Sequence, residues 1–338
     1  SNSWIFHATA MEMGALPERI PPVADEYELL KQGLLGLLER NHLVVVNAGS
    51  SAGSKDYTAK LIEELGELVL HGIAIKPGKP TILGIVQGKP VIGVPGYPGS
   101  AYLVFEEVVG RVIRSMQRIR YVRPPQAQAI LSRRLVSSLK YREYVRVKLG
   151  RVGEKLIATP LNRGAGVMMA LVKADGLLVV PRNSEGYEAG ETVPVELITD
   201  LDLIDNTLVS IGSHDLIMDH IANLLSRKGI GLSSAHVGSM GGILALKRGE
   251  AHLAPIHLLD EETGEYNRSY LERYLKEENV TLVKGVKREQ GFMVRQGNPK
   301  QILGIQDLIR PDVSFVNRQK GSGTRILTDY LLTKAGID

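Results

Sequence analysis

The chain has 338 residues, 43% of them hydrophobic and 23% charged, and this balance excludes an intrinsically disordered protein. The length predicts two or three domains, and no run approaches the roughly 18 apolar residues of a membrane span. The chain has no cysteine, which excludes disulfides, thiolate metal sites and cysteine nucleophiles and favours a cytoplasmic location. Its formal net charge of +4 is too small to indicate a nucleic-acid-binding protein.

The first 123 residues alternate helix and strand patterns, which predicts a doubly wound α/β domain. Apolar residues at helical spacing predict a helix over 26–40, and a short apolar run predicts a buried strand over 42–47. Ligands of such sheets bind at the carboxyl ends of the strands. The same reasoning predicts helices over 56–65 and 100–119 and strands over 68–75 and 90–94.

The pattern changes after Pro124 and Pro125, where we place a domain boundary. Residues 124–202 predict a small all-β domain, with short strands over 144–149, 156–158, 176–180 and 193–198. Residues 203–338 return to α/β alternation and form the third predicted domain. It has predicted strands over 207–211, 251–256, 280–286 and 313–317 and predicted helices over 215–228, 242–247, 269–278 and 324–332.

Three loops follow predicted strands of the first domain. The first, NAGSSAGSKD at 47–56, offers backbone N–H groups and a helix N-terminus to an anion, or it is a turn with a favourable first-turn carboxylate. The second, KPGKP at 76–80, holds two lysines on a stiff backbone and suits a phosphate, or it is a solvated tight turn. The third, VPGYPGS at 94–100, ends in Ser100, which is either a helix N-cap or a ligand hydroxyl.

These three motifs, in this order and at these intervals, resemble those of the molybdopterin molybdenumtransferase (MoeA) family. The SNS segment at 1–3 and the β region at 138–147, 160–166 and 174–181 resemble that family too. Tyr97 replaces a usual asparagine, and the family's two N-terminal domains are absent. The resemblance covers about 200 residues, and we expect the chain to be part of a longer protein.

The resemblance implies an enzyme that inserts molybdate into adenylylated molybdopterin and releases AMP. It implies catalytic roles for Asp56, Lys76 and Lys79, with Asp56 binding Mg²⁺ or positioning water. The lysines and helix N-termini would offset repulsion between the anionic pterin and molybdate. It also implies pterin-binding positions at Gly49, Ser51, Gly53, Pro95, Pro98 and Ser100.

The third domain resembles a type II periplasmic-binding-protein-like domain, of the kind found in LysR-type regulators, and we expect it to be incomplete. Two of its loops, GSHD at 212–215 and RQKGSGTR at 318–325, place hydroxyl and N–H groups at helix N-termini. We predict that they bind an oxyanion such as molybdate or tungstate. The candidate residues are Ser213, Ser322, Thr324 and Arg325.

Residues 111–155 hold 13 lysines and arginines against 2 acidic residues. This segment is a solvated surface, an anion-attracting rim for the pterin, or a protein contact. Nucleic acid is the least favoured partner because aromatic residues do not interleave with the basic ones. We expect a small-molecule pterin and an oxyanion as partners, no membrane, and a chain able to form a homodimer. The alternative to the enzyme is a non-catalytic protein that binds or senses molybdopterin or an oxyanion.

Overall fold

The computed structural model describes residues 2–47, 57–164, 169–319 and 322–337. Its contacts divide the chain into two compact units. Unit 1 comprises Ser1–Leu149 and Leu156–Asp205, and unit 2 comprises Gly150–Lys155 and Asn206–Asp338. None of the helices in the described residues has the length and apolar character needed to cross a bilayer.

Unit 1 begins with an α/β part of five helices and five strands in the described residues. The chain enters it through a helix that the sequence patterns did not predict. In chain order the elements are α1 (Asn2–Glu12), α2 (Tyr27–Arg40), β1 (Val44–Asn47), α3 (Tyr57–Leu65), β2 (Gly66–His71), β3 (Ile75–Lys76), β4 (Ile82–Val86), β5 (Lys89–Val94), α4 (Pro98–Val104) and α5 (Gly110–Met116).

Four of these strands form a sheet in the order β1-β5-β4-β2. The β1 and β5 strands are parallel, whereas β4 pairs antiparallel with both β5 and β2. Successive side chains of β5 point to opposite faces of the sheet. Val91 lies in a core under α2 and α3, and Ile92 lies in a core under α1 and α4. The sheet is therefore covered by helices on both faces, which confirms the predicted α/β class.

The predicted helix over 100–119 begins two residues earlier and ends three residues earlier. A π-helical segment, Phe105–Val109, joins α4 to α5 without a break in helical backbone. The ring of Phe105 stacks on Phe6 of α1 with centroids 4.7 Å apart. This contact fixes the first helix of the chain against the helix that follows the VPGYPGS loop.

The rest of unit 1 is a small β barrel. Each strand of this sheet pairs with its neighbour in the order β8-β9-β6-β12-β10. Because β10 also pairs with β8, the sheet closes into a barrel. Its interior is filled by apolar side chains such as Val145, Val147 and Leu178. The elements are β6 (Gln126–Leu131), β7 (Leu135–Val136), β8 (Arg142–Val152), β9 (Lys155–Pro160), α6 (Met169–Lys173), β10 (Gly176–Val180), β11 (Gly186–Tyr187), β12 (Thr192–Leu197) and α7 (Leu201–Asp205).

The β3 strand leaves the α/β part and joins the edge of this barrel. It pairs in parallel with β8, with Lys76 opposite Glu143. The KPGKP motif that begins at Lys76 is thus attached to a strand of the barrel, which sequence patterns did not predict.

Unit 2 contains a parallel pair of strands flanked by helices. Its hairpin tip, Gly150–Lys155, packs on the first strand: a Cβ on Gly150 would lie 2.6 Å from Val209. The elements after the tip are β13 (Thr207–Gly212), α8 (Ile217–Ser226), β14 (Gly231–His236), α9 (Ser239–Lys247), α10 (Arg268–Tyr274), a 3₁₀ helix (Ile305–Ile309) and α11 (Gly323–Lys334).

Three strands predicted in this region are wrong. The 251–256 segment makes only a single bridge, between Leu253 and Ser210, and 280–286 and 313–317 form no strand. Val283 and Val316 in the latter segments are 76% and 93% exposed. Apolar sequence favours a strand only where a neighbouring strand pairs with it, and the described residues supply none there.

The segment after α9 is tied to β13 by a histidine. The backbone N–H of Val209 donates to Nδ1 of His252 at 2.9 Å, and the His252 N–H donates to the Val209 carbonyl at 2.9 Å. Nδ1 must be unprotonated to accept that bond, so the ring is neutral. Partial burial lowers the pKa of His252, in the same direction.

Acid should therefore weaken the hydrogen bond between the Val209 N–H and the His252 ring. Because the folded-state pKa of His252 lies below the usual value of about 6.5, the unfolded chain takes up the proton first. The stabilisation is complete above that value and is lost as pH falls toward the lowered pKa. Urea unfolding followed by circular dichroism measures the free energy of unfolding between pH 7.5 and 5.5. This free energy should fall less steeply with pH in His252→Asn than in the unaltered protein, because asparagine keeps an acceptor but does not titrate. Equal pH slopes in both proteins would contradict the assignment.

Candidate functional site

The carboxyl ends of β1 and β5 lie side by side. Asn47 is the register partner of Val94, so β1 and β5 end at adjacent points of one edge of the sheet. Two of the three predicted loops therefore start next to each other. The predicted residues Gly49, Ser51, Gly53 and Asp56 lie outside the described residues.

A buried asparagine connects the two strand ends. Nδ2 of Asn2, which is 5% exposed, donates to the Gly96 carbonyl at 2.7 Å and to Oδ1 of Asn47 at 3.2 Å. The first turn of α1 thereby closes the edge from which both loops emerge. The SNS sequence at 1–3 was the indication of this contact.

The VPGYPGS loop passes directly into α4. Pro95 is buried, Pro98 is the first residue of α4, and Tyr97 is its N-cap and is 68% exposed. Ser100 lies in the first turn, 5% exposed, with its N–H donating to the Tyr97 carbonyl at 3.0 Å. The N-cap alternative for Ser100 is therefore wrong, because proline at the first helical position starts the helix two residues earlier.

The KPGKP loop is compact and packs on α4. Gly78 has φ +120°, and a Cβ there would lie 2.7 Å from Val104, so only glycine fits. The carbonyl of Gly78 accepts a bond from the Thr81 hydroxyl at 2.7 Å, and the Lys79 carbonyl accepts one from the Ile73 N–H at 2.9 Å. Lys76 and Lys79 are both exposed. The loop thus carries two exposed ammonium groups on a backbone fixed against the helix that begins at Pro98.

Strand β8 contacts two of the loops through buried charges. Glu143 is 1% exposed: its Oε2 accepts from the Ser137 hydroxyl at 2.7 Å and its Oε1 from Arg163 at 3.1 Å. The Lys76 ammonium lies 3.4 Å from the same Oε1. Glu143 lies two and four residues before Val145 and Val147, so it is on the same side of β8 as these apolar residues. A carboxylate on the apolar side of a strand is the sequence signal that could have indicated a buried charge here.

Arg146 is the second buried charge on β8. It is 9% exposed, and its guanidinium donates to the Gly99 carbonyl at 2.7 Å, inside the VPGYPGS motif. Burial lowers the pKa of Arg146. One carbonyl satisfies only part of the hydrogen-bonding capacity of a guanidinium. Arg146 therefore carries a positive charge near the start of α4, in a buried position that disfavours charge.

Several other charges of the basic segment 111–155 have local partners. Arg111 pairs with Glu107, Arg134 with Glu188, and Lys148 with Asp175 at 2.7 Å. Arg133 donates to the Pro160 carbonyl at 2.6 Å. These contacts support the view that much of the segment serves the fold.

Unit 2 brings two of its predicted segments to one histidine. The Ser213 side chain is buried, and its hydroxyl lies 2.7 Å from the Ser239 hydroxyl, which accepts the backbone N–H of His257 at 3.0 Å. A Cβ on Gly323 would lie 2.9 Å from the ring atom Nε2 of the same histidine. Burial is the main cause that lowers the pKa of His257, and Arg288 adds to it. Ser239 and His257 were not predicted, because their partners come from separate elements.

The remaining predicted residues of unit 2 lie at the start of α11. Ser322 is the N-cap, and its hydroxyl accepts the Arg325 N–H at 3.3 Å. The Arg325 side chain donates to Asp329 at 2.7 Å, and Thr324 is exposed. The hydroxyl of Ser322 and the guanidinium of Arg325 thus already have partners within the helix.

The described residues contain no group of three or more histidine, cysteine, aspartate or glutamate side chains placed to hold a metal ion. The predicted ligand, Asp56, lies outside them, so its role stays a prediction.

Comparison with known families places three matches along the chain. Residues 1–115 match the family described as "Probable molybdopterin binding domain", residues 128–198 match "MoeA C-terminal region (domain IV)", and residues 222–338 match "PBP superfamily domain". The resemblances inferred from the motifs are confirmed by these matches.

Two curated relatives each align with more than half of the chain. A putative molybdopterin biosynthesis protein of Methanocaldococcus jannaschii is 33% identical over 198 residues, 59% of this chain and 47% of the relative. A molybdopterin molybdenumtransferase of Bacillus subtilis is 26% identical over 201 residues, 59% of this chain and 46% of the relative. The chain spans about half the length of these relatives. A solved MoeA structure from Pyrococcus horikoshii is 33% identical, with a TM-score of 0.49 over 59% of this chain and 48% of its own.

The buried carboxylate of Glu143 should contribute measurably to stability. Glu143→Gln keeps the shape but leaves Arg163 and Lys76 without a charged partner, which should lower the free energy of unfolding by about 2 kcal/mol. The matched control is Glu188→Gln, because the Glu188–Arg134 pair is exposed and should contribute less than about 1 kcal/mol. Urea unfolding measures both, and equal losses in the two variants would contradict the assignment.

Proposed function

We propose that residues 1–198, which match the molybdopterin-binding domain and domain IV of MoeA, take part in molybdenum cofactor biosynthesis as the corresponding part of a molybdopterin molybdenumtransferase. The proposed reaction inserts molybdate into adenylylated molybdopterin and releases AMP. One observation carries the proposal: the parallel strands β1 and β5 end side by side, and the two-lysine loop packs on the helix that follows β5. The transferase names of the curated relatives support it.

The charges of the substrates suit this arrangement. Adenylylated molybdopterin carries a pyrophosphate link and molybdate is a dianion, so the two repel each other in water. We propose that the exposed ammonium groups of Lys76 and Lys79 offset this repulsion as the anions approach. In this proposal Gly49, Ser51, Gly53, Pro95, Pro98 and Ser100 line the pterin site, and Asp56 holds Mg²⁺ or positions water. The dithiolene sulfurs belong to the pterin, which is consistent with a chain that has no cysteine.

We propose that the chain works in the cytoplasm, which its lack of cysteine favours.

We also propose that unit 2 binds an oxyanion such as molybdate or tungstate. The Ser213–Ser239–His257 cluster and the start of α11 at Gly323 supply hydroxyl and N–H donors from separate elements. The proposed oxyanion-binding residues are Ser213 of this cluster and Ser322, Thr324 and Arg325 at the start of α11. The alternative is a non-catalytic protein that binds or senses molybdopterin or an oxyanion, but curated relatives of this chain are named molybdopterin molybdenumtransferase, which favours the enzyme.

Replacement of the loop lysines should impair the transferase reaction. With the complete product of the gene, adenylylated molybdopterin, Mg²⁺ and molybdate, we expect AMP release to fall about a hundredfold in Lys76→Met and in Lys79→Met. Lys173→Met, which replaces an exposed lysine outside the predicted site, should release AMP at the unchanged rate. AMP is measured by chromatography. No AMP from the unaltered protein would reject the enzyme, and full activity in both lysine variants would reject the assigned roles.

Oxyanion binding by unit 2 can be measured separately by calorimetry of the whole chain with molybdate, tungstate and sulfate. Ser213→Val removes a hydroxyl that lies 2.7 Å from Ser239 and that, in this proposal, donates to the anion, so molybdate binding should weaken about tenfold. Ser226→Ala, on the exposed end of α8, is the control and should bind as the unaltered chain does. Heat of binding that is equal in all three proteins would remove Ser213 from the site.

A further inference from the structure

We propose that Glu143 is a positioning residue that holds the Lys76 ammonium in place for the transferase reaction. The proposal rests on the proposed function, since Lys76 matters only if the KPGKP loop meets the anionic substrates. Glu143 itself is 1% exposed and is not expected to touch them.

The backbone brings the two residues together first. Lys76 and Glu143 are register partners in the parallel pairing of β3 with β8, and the Arg142 N–H donates to the Ala74 carbonyl at 2.9 Å. The side chains of register partners in neighbouring strands lie close to each other. The position of the carboxylate relative to the root of the loop is therefore set by main-chain hydrogen bonds.

The carboxylate does not need Lys76 for its own burial. The Ser137 hydroxyl satisfies Oε2, and Arg163 satisfies Oε1 at 3.1 Å while also donating to the Val136 carbonyl at 2.6 Å. Charge and hydrogen bonds are thus already balanced by two groups of the barrel. The Lys76 contact at 3.4 Å is an addition to a satisfied site.

What the contact does is restrict a flexible side chain. A lysine side chain has about 2 kcal/mol of rotamer entropy when it is free in solvent. The Lys76 side chain is 51% exposed, and its ammonium group lies 3.4 Å from the Glu143 carboxylate. An incoming anion meets an ammonium group whose position is already limited, and less entropy is lost when it binds.

A double-mutant cycle on AMP release separates positioning from a general structural effect. We expect Glu143→Gln to lower kcat about tenfold with a small change in KM, because misplaced catalytic groups affect mainly the reacting state. In the Lys76→Met background the same substitution should have no further effect, since its route of action is gone. Additive losses would overturn the proposal. Glu143→Asp, which keeps the charge, should recover part of the rate, and Glu188→Gln is the control in both backgrounds.

A second measurement does not depend on activity. Amine-reactive labelling mapped by mass spectrometry compares Lys76 with Lys79, which lies in the same loop and serves as the internal standard. We expect Glu143→Gln to raise the Lys76 to Lys79 labelling ratio about two- to fivefold, the range of a partly exposed ion pair. An unchanged ratio would overturn the contact. If the unaltered protein releases no AMP but this ratio rises, the transferase proposal fails and the Glu143–Lys76 contact stands.

Discussion

Parallel pairing of β1 with β5 is the constraint on which the candidate site depends. Adjacent parallel strands end at the same edge, so the segments that follow Asn47 and Val94 must begin within one strand spacing of each other. Asn2 then bonds both ends, and the helix that starts at Pro98 packs on α1 through Phe105 and Phe6. The VPGYPGS loop is short and rich in glycine and proline, and its position is set by the elements on either side of it.

The barrel strand β8 adds a second constraint. It places a buried carboxylate at the start of the KPGKP loop and a buried guanidinium at a carbonyl of the VPGYPGS loop. Buried charges cost free energy unless they are paired, so a substitution on β8 changes the surroundings of loops that are 40 or more residues away in sequence. This dependence gives a physical reason why the α/β part and the barrel form one compact unit.

Sequence patterns predicted the features that depend on local chemistry. The KPGKP and VPGYPGS loops, most helices and four of the five strands of the closed barrel follow from glycine and proline positions and from apolar spacing, whereas β6 was missed because its polar start was taken for a domain boundary. Strand β4 was missed because Gly84 interrupts its apolar run; the glycine is needed where Ile62 of α3 packs, since a Cβ would lie 2.2 Å from that side chain. The strands over 280–286 and 313–317 were predicted from apolar content that has no pairing partner in the described residues. The partners of Glu143 and the Ser239–His257 contact depend on tertiary structure, which no spacing in the sequence encodes.

The hairpin tip Gly150–Lys155 has a consequence for how this chain is divided. It is the turn of two barrel strands, yet its contacts assign it to unit 2, where Gly150 packs on Val209 and Lys155 donates to the Arg248 carbonyl. A fragment that ends at residue 203 would therefore keep the hairpin tip but lose Val209 and Arg248, which the tip contacts. The two units have separate family matches but do not correspond to separate stretches of the gene. An exchange of modules by recombination at a single point would leave one unit incomplete, and a functional transplant would have to carry the hairpin with it.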